Sequence, residues 1–466
     1  MRHPLRWLLV AALIAALGSL TLSARVAHAA GSCPGVESNG VCTVTGTSLG
    51  AAYLLEVPDS WNGALALYSH GYVAPGSPNP ARDAGDPATR GWLLGHGYAL
   101  AGSSYSTTGW ALQQAFADQM DVLSIFTSDF SKPTRTIAWG HSLGGIITAG
   151  LVQLNPGTFD AALPMCGVVA GGIGTWNAAL DSQFAFNLLV AGGALSVVNI
   201  TNPGLNLHNA EVALAAAQAT PQGRARIALA GALDDLPGWF DSASPEPAPT
   251  DYATQEANQY LWDANVDFPF VWALRAELEA RAGGNPSWNV GVNYNVQFSH
   301  SVDQAEVEAL YAQAGLNLSA DLATLNAAPR IAPDTGAVQY LNTYLSFNGQ
   351  ISIPILTMHT AGDGLVLNEQ ESSYAAVVRS QGNNSLLRQV FVHRAGHCAF
   401  TPAETITAFQ TLINRLDTGV WDGSTNPDTM NAAAAALGAY NVAPPSFMDY
   451  HPAQFLRPFT AYSSAP

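Results

Sequence analysis

The pentapeptide Gly140-His141-Ser142-Leu143-Gly144 constrains this chain more than any other stretch. The apolar run Thr136-Ile137-Ala138-Trp139 precedes it, and the small-residue run Gly145-Ile146-Ile147-Thr148-Ala149-Gly150-Leu151-Val152 follows it. The first reads as a buried strand and the second as a helix that packs closely on that strand. A strand that turns directly into a helix leaves no room for bulky side chains two residues before and after the apex. Glycine at both positions meets that demand. The apex residue is then held in a strained backbone conformation that lifts its side chain clear of the sheet. A serine there is a nucleophile elbow.

Residues 1–29 stand apart. Arg2 and Arg6 form a basic start, residues 8–20 an apolar stretch, and Ala27-His28-Ala29 a small-residue cleavage site. That combination predicts a signal peptide, too short and wrongly flanked to be a membrane span. No later stretch is long and apolar enough to cross a bilayer, and 432–437 reads only as a short alanine-rich helix. The expected mature protein is secreted, extracellular or periplasmic, with no membrane partner. Cleavage removes three arginines and no acid, moving the formal net charge from −17 to −20. A chain this acidic, with no basic cluster, excludes nucleic acid as a partner.

Four cysteines in an exported chain imply two disulfides. Cys33 and Cys42 bracket a loop containing Pro34, Gly35, Asn39 and Gly40, so they are expected to close a local turn. Cys166 and Cys398 are expected to form the second bond, since both fall at carboxyl ends of predicted strands. No His/Cys grouping has metal-ligand spacing, and neither metal nor cofactor is expected.

Strand and helix patterns alternate along much of the chain. Residues 43–57 read as an opening strand pair, and 64–69, 98–101, 136–139, 161–167, 353–359 and 387–392 as further strands, with helical spacing at 112–126. The alternation predicts an α/β fold with a doubly wound, mostly parallel sheet. Between Gly167 and Ile353 the strand signal nearly vanishes, and helical patterns occupy 180–190, 210–219, 255–282 and 304–315. One stretch, 288–298, alternates Asn and Gly with Val and Tyr like an extended segment. From Ser142 to Asp363 there are far more residues than two strand-helix-strand crossovers need, ~30 each. The division expected is core 30–169, an inserted helical cap 170–347, and core 348–466 with an irregular tail from 444.

A nucleophilic serine needs a base, and the base needs an orienting acid. Asp363 follows a strand and the turn Ala361-Gly362. His397 follows another strand through Arg394-Ala395-Gly396 and precedes Thr401, a candidate helix cap. His393 lies within the strand pattern and reads as structural. The oxyanion hole calls for two backbone N–H groups, expected from Leu143 and from Tyr72 in the turn His70-Gly71-Tyr72. A second copy, His96-Gly97-Tyr98, precedes a strand and reads as a helix stop.

Together, His-Gly-Tyr, Gly-His-Ser-Leu-Gly, Ala-Gly-Asp and Gly-His-Cys resemble the α/β-hydrolase superfamily over about residues 50–170 and 350–415. The resemblance implies that fold and hydrolysis of an ester, amide or peptide through a covalent acyl-enzyme. The stretch 98–105 with Gly109-Trp110-Ala111 is similar to prolyl-oligopeptidase-like and polyester-depolymerase-like branches. The pair His397-Cys398 is similar to the tannase and feruloyl-esterase branch, which carries Cys before its nucleophile where this chain has His141. Tyr72, Tyr105, Trp110 and Met165 fall at predicted carboxyl ends of strands, where open α/β sheets bind ligands; the last three are expected to line the substrate site. The expected function is a secreted carboxylic-ester hydrolase acting on a small-molecule or polymeric ester without an obligate protein partner. A serine peptidase is the alternative.

Overall fold

The computed structural model describes residues 33–457; the expected signal peptide lies outside them. Ten strands form one sheet: β1 (Val36–Ser38), β2 (Val41–Ser48), β3 (Ala51–Pro58), β4 (Ala64–Ser69), β5 (Ala99–Ser103), β6 (Arg135–His141), β7 (Ala161–Met165), β8 (Ile355–Gly362), β9 (Leu387–Ala395) and β10 (Phe447–Met448). Their spatial order is β1-β2-β3-β5-β4-β6-β7-β8-β9-β10. The six strands from β5 to β9 in that order are mutually parallel, while β1, β2, β3 and β10 pair antiparallel at the two edges. This is the α/β-hydrolase fold.

Every residue of β4, β5 and β7 is buried. Parallel strands covered on both faces need apolar side chains at both parities, which is why these segments read as continuous runs and not as alternation. Helices Leu112–Asp129, Leu143–Leu154 and Gln370–Ser380 cover one face, and Pro87–Gly95, Pro402–Thr418 and Pro427–Ala436 the other.

Between β7 and β8 the described chain is helical, from Gly171–Leu189 to Thr335–Leu345, and holds no strand of the sheet. It has a core of its own built on Phe186, Leu229, Trp272 and Tyr311. Three helices the periodicity did not announce, Pro221–Ala232, Leu318–Ala327 and Thr335–Leu345, belong to it. The expected extended segment at 288–298 is corrected: its second half is the short helix Tyr294–Phe298, capped by the Asn293 side chain. Alternation there reflects an asparagine cap before a single helical turn. The tail, expected to be irregular, contributes β10.

The run from Tyr252 to Ala282 is one continuous helix interrupted by two π-helical turns, Asp263–Asp267 and Phe270–Leu274. Phe268 N–H bonds the Asp263 carbonyl five residues back, and Arg275 N–H bonds that of Phe270. Such wide turns are uncommon and concentrate at functional sites.

At the β6 turn the backbones nearly touch. A Cβ on Gly144 would stand 1.9 Å from the Ser69 carbonyl oxygen, and one on Gly140 2.4 Å from the same atom. The obstruction is backbone and cannot swing away. Gly144→Ala is therefore expected to cost about 1–3 kcal/mol, as overpacking does, and to lower the thermal midpoint by several degrees by circular dichroism. An unchanged midpoint would refute this account of the turn.

Candidate active site

Ser142 sits at φ 58°, ψ −122° between β6 and the helix Leu143–Leu154, in the left-handed region that a serine enters only under constraint. Its N–H donates to the Met165 carbonyl at 3.0 Å, tying the apex to the end of β7. Asp363 directly follows β8, and His397 lies two residues past β9 through Gly396 at φ 108°. Three strand ends thus bring together residues far apart in sequence. His397 Nε2 lies 2.8 Å from Ser142 Oγ, and His397 Nδ1 lies 2.8 and 3.0 Å from the two Asp363 oxygens.

Both loops are pinned. Gly396 N–H donates to the Gly362 carbonyl at 2.9 Å, and Thr360 Oγ1 donates to the Gly396 carbonyl at 2.8 Å. Beyond His397, Thr401 and Glu404 form a reciprocal capping box on the helix Pro402–Thr418, and Arg394 bonds Glu404 at 2.6 Å. Cys398 is bonded to Cys166, 232 residues away, and Cys33 to Cys42. Cys166 and Cys398 both hold positive φ, 41° and 53°. The crosslink therefore clamps the His397 loop to the residue after β7 at two strained positions. His393 faces elsewhere: its side chain is 45% exposed and lies 2.7 Å from Glu246.

Behind Asp363 stands a residue that sequence reasoning left inside a strand. His359 is fully buried on β8, with Nε2 2.8 Å from the Val366 carbonyl and 3.5 Å from Asp363 Oδ2, and Nδ1 3.1 Å from Glu371. Burial alone would lower its pKa, but bonding to Asp363 and Glu371 outweighs burial and raises it to about 10. Burial would likewise raise Asp363, yet His397 and His359 beside it bring it down to about 2. Backbone N–H groups of Leu365 and Val366 also donate to Asp363 Oδ1. A histidine four residues before Asp363, in a strand whose other polar residues are only threonines, was the available signal.

The turn His70-Gly71-Tyr72 packs against the apex. A Cβ on Gly71 would lie 3.4 Å from Ser142 Cβ and 3.8 Å from its Oγ. Among the described residues, no protein group accepts a hydrogen bond from the Tyr72 or Leu143 N–H. Tyr105 does not line the cavity over Ser142; its ring stacks on His70 at 4.0 Å and its hydroxyl donates to the His70 carbonyl. Met165 does not line it either, because its side chain packs with Trp139 and Cys166 on the opposite face of the sheet. Both were expected there and are corrected: nearness of a backbone to a strand end does not say which face its side chain takes. Tyr72, Trp110 and Leu143 do line the cavity with Val168, Leu365 and Val366 from the sheet domain, and the cap supplies most of the rest, chiefly Trp176, Phe186, Phe268, Phe270 and Trp272.

Half-buried His141, next to the serine, is lowered to about 4 by desolvation and stays neutral near pH 7, with Nδ1 3.2 Å from the Tyr68 hydroxyl. It adds no charge to the turn.

Two outcomes are expected. Breaking the Cys166–Cys398 bond, by mild reduction or as the double variant Cys166→Ser/Cys398→Ser, should lower ester turnover by roughly 10–100-fold before the chain unfolds, since a loosened loop misplaces the imidazole. Turnover that falls only in step with circular dichroism would count against it. For His359, the folded pKa exceeds the unfolded value of 6.5, so the stability its charge contributes is complete below about pH 6.5 and disappears as pH rises through about 10. The gap in urea midpoint between wild type and His359→Gln should accordingly shrink from pH 6 to pH 10; a widening gap would contradict the charged assignment.

No family model matches the chain. Over 417 residues it is 30% identical to o-phthalyl amidase of Xanthobacter agilis, covering 83% of this chain and 89% of that protein. Solved structures with some likeness include feruloyl esterase B from Aspergillus oryzae, 15% identical with a TM-score of 0.38 over 82% of this chain and 81% of that one. Acylaminoacyl peptidase of Pyrococcus horikoshii is 9% identical with a TM-score of 0.37 over 80% of this chain and 41% of that one. Scores that low carry no argument about chemistry. Identity and coverage against the amidase do: the chain belongs to the same family as o-phthalyl amidase, a family of hydrolases with the α/β-hydrolase fold.

Proposed function

We propose that this chain is a secreted serine hydrolase that cleaves carboxylic esters through an acyl-enzyme on Ser142. The observation that carries the reading is the unbroken chain Ser142 Oγ to His397 Nε2, and His397 Nδ1 to Asp363, with contacts of 2.8 Å at both ends. His397 takes the Ser142 proton as Oγ attacks the carbonyl carbon. Asp363 fixes the tautomer and balances the imidazolium that forms. The Leu143 and Tyr72 N–H groups, without protein acceptors, serve the oxyanion. Collapse of the tetrahedral species expels the alcohol, which takes the proton from His397, and water then releases the acid by the same steps in reverse.

A second reading, amide hydrolysis, is favoured by the relative named o-phthalyl amidase. The same residues serve it, with an amine as the group that leaves. Export is supported by the leader-like residues 1–29 and by two disulfides, a bond type kept in oxidising compartments. Tyr72, Trp110 and the cap aromatics give the acyl or leaving portion an apolar seat.

Hydrolysis of p-nitrophenyl acyl esters and of phthalyl anilides tests both readings. Ser142→Ala should lose about 10⁴-fold or more in kcat on whichever substrate is turned over, and Asp363→Asn on the order of 10³–10⁴-fold. His393→Ala should stay within a few-fold of wild type. Retention of more than a tenth of the rate by Ser142→Ala would remove the serine from the mechanism.

A further inference from the structure

The cavity over Ser142 is not apolar throughout. Its cap wall carries three aspartates, Asp234, Asp263 and Asp267, the last two on the first π-helical turn. Asp263 is 8% exposed and takes no side-chain hydrogen bond among the described residues. Asp234 Oδ1 and Asp267 Oδ2 are buried without a partner. An independent group points the same way. Gln183, on the helix Gly171–Leu189, is 2% exposed; its amide nitrogen donates to the Val271 carbonyl at 2.5 Å, which leaves its Oε1 as a buried acceptor with no donor.

Four unpartnered acceptor groups thus line one wall of a cavity ringed by aromatic faces. Trp272, Phe186 and Phe268 cluster with ring centroids 5.0–5.9 Å apart, and Tyr72 meets Phe270 at 5.2 Å. Acceptors plus aromatic faces match a ligand that carries positive charge and N–H donors on a hydrocarbon body. A single metal ion fits less well. Among the described residues only Cys33, Glu37 and Cys42 bring three ligand atoms within 4.8 Å of one another, so the aspartates are spaced for something larger.

We propose that this wall binds an alkylammonium group carried by the substrate, with Asp234, Asp263, Asp267 and Gln183 Oε1 as its acceptors. As a statement about substrate it rests on the serine-hydrolase reading above. The surroundings support it. Burial and then the Glu256 charge raise Asp263 to about 8, while burial and neighbouring carboxyls hold Asp234 and Asp267 well above the usual range. No arginine or lysine is among the groups that act on the three. A cationic ligand placed beside one of these carboxyls favours its charged form, so the carboxyl gives up its proton and becomes the carboxylate partner.

Calorimetry on the full chain with benzylammonium, benzyl alcohol and benzoate reads the site directly and needs no turnover. Benzylammonium should bind at least about tenfold tighter than the alcohol, the factor carried by one unit of carboxyl pKa, with benzoate weakest. Asp263→Asn should narrow that ratio, and Asp267→Asn gives the same readout should the first variant fail to fold. Equal binding of amine and alcohol would overturn the proposal. So would benzoate in first place, which would point to the unpartnered indole N–H groups of Trp110, Trp176 and Trp272 as the recognition elements, or calcium displacing the amine at micromolar concentration. A turnover arm separates this inference from the one beneath it. Preference for 6-aminohexanoyl over heptanoyl p-nitrophenyl ester, lost in Ser142→Ala, supports both. Ser142-dependent cleavage with no preference, and no amine binding, sinks the ammonium site alone. Amine binding without cleavage of any ester or amide sinks the hydrolase reading and with it the substrate assignment.

Discussion

The structure depends on how closely two backbones approach beneath Ser142. The Ser69 carbonyl lies where the Cβ of Gly140 or Gly144 would be, so the β6 turn and the end of β4 are in contact through main chain alone. That contact brings the His70-Gly71-Tyr72 turn against the serine, because the turn is the continuation of β4. The parallel order of β4, β6, β7, β8 and β9 then places every subsequent loop at the same edge. His397, Asp363 and the cysteine clamp come together because the strands end together.

The groups at that edge are each held by several constraints. His397 is held by a disulfide, a capping box and a backbone bond to Gly362, and Asp363 by two N–H groups and a charged histidine. The cavity above them is walled by a helical insertion with its own core, joined to the sheet domain through shared buried residues such as Ile173, Trp176, Leu278 and Leu341 and through polar contacts such as Trp110 N–H to Glu277 at 3.0 Å. The sheet fixes Ser142, His397 and Asp363, and the cap supplies most of the cavity over them.

Sequence alone reached the first of these and not the second, for physical reasons. Ser142, Asp363 and His397 were legible because strand-to-helix turns and post-strand loops have strict local demands: glycine where backbones touch, short residues where the chain reverses. His359 was missed because a buried polar residue in an apolar run looks like one strand position among others until its partner Glu371, on another element, is known. Tyr105 and Met165 were misplaced because strand-end position specifies a neighbourhood but not a face. The aspartates of the cap were invisible for a different reason. Asp263 and Asp267 lie on a wide helical turn, which a 3.6 period does not describe, and Asp234 lies in the turn after the helix Pro221–Ala232.

Those wide turns alter what kinds of change can remodel the cavity. A π turn holds one more residue than the α turn it replaces, so the run from Tyr252 to Ala282 carries extra residues without losing its continuity. Excising one from either turn would let that turn relax to α geometry while the helix before and after it kept its facing, because one extra residue is what the wide turn absorbs. A single deletion elsewhere in a helix rotates everything beyond it by about 100°. Here it would change only the side chains that the wide turn itself presents, Asp263 and Asp267 in the first of them, while the elbow and its partners stay where they are.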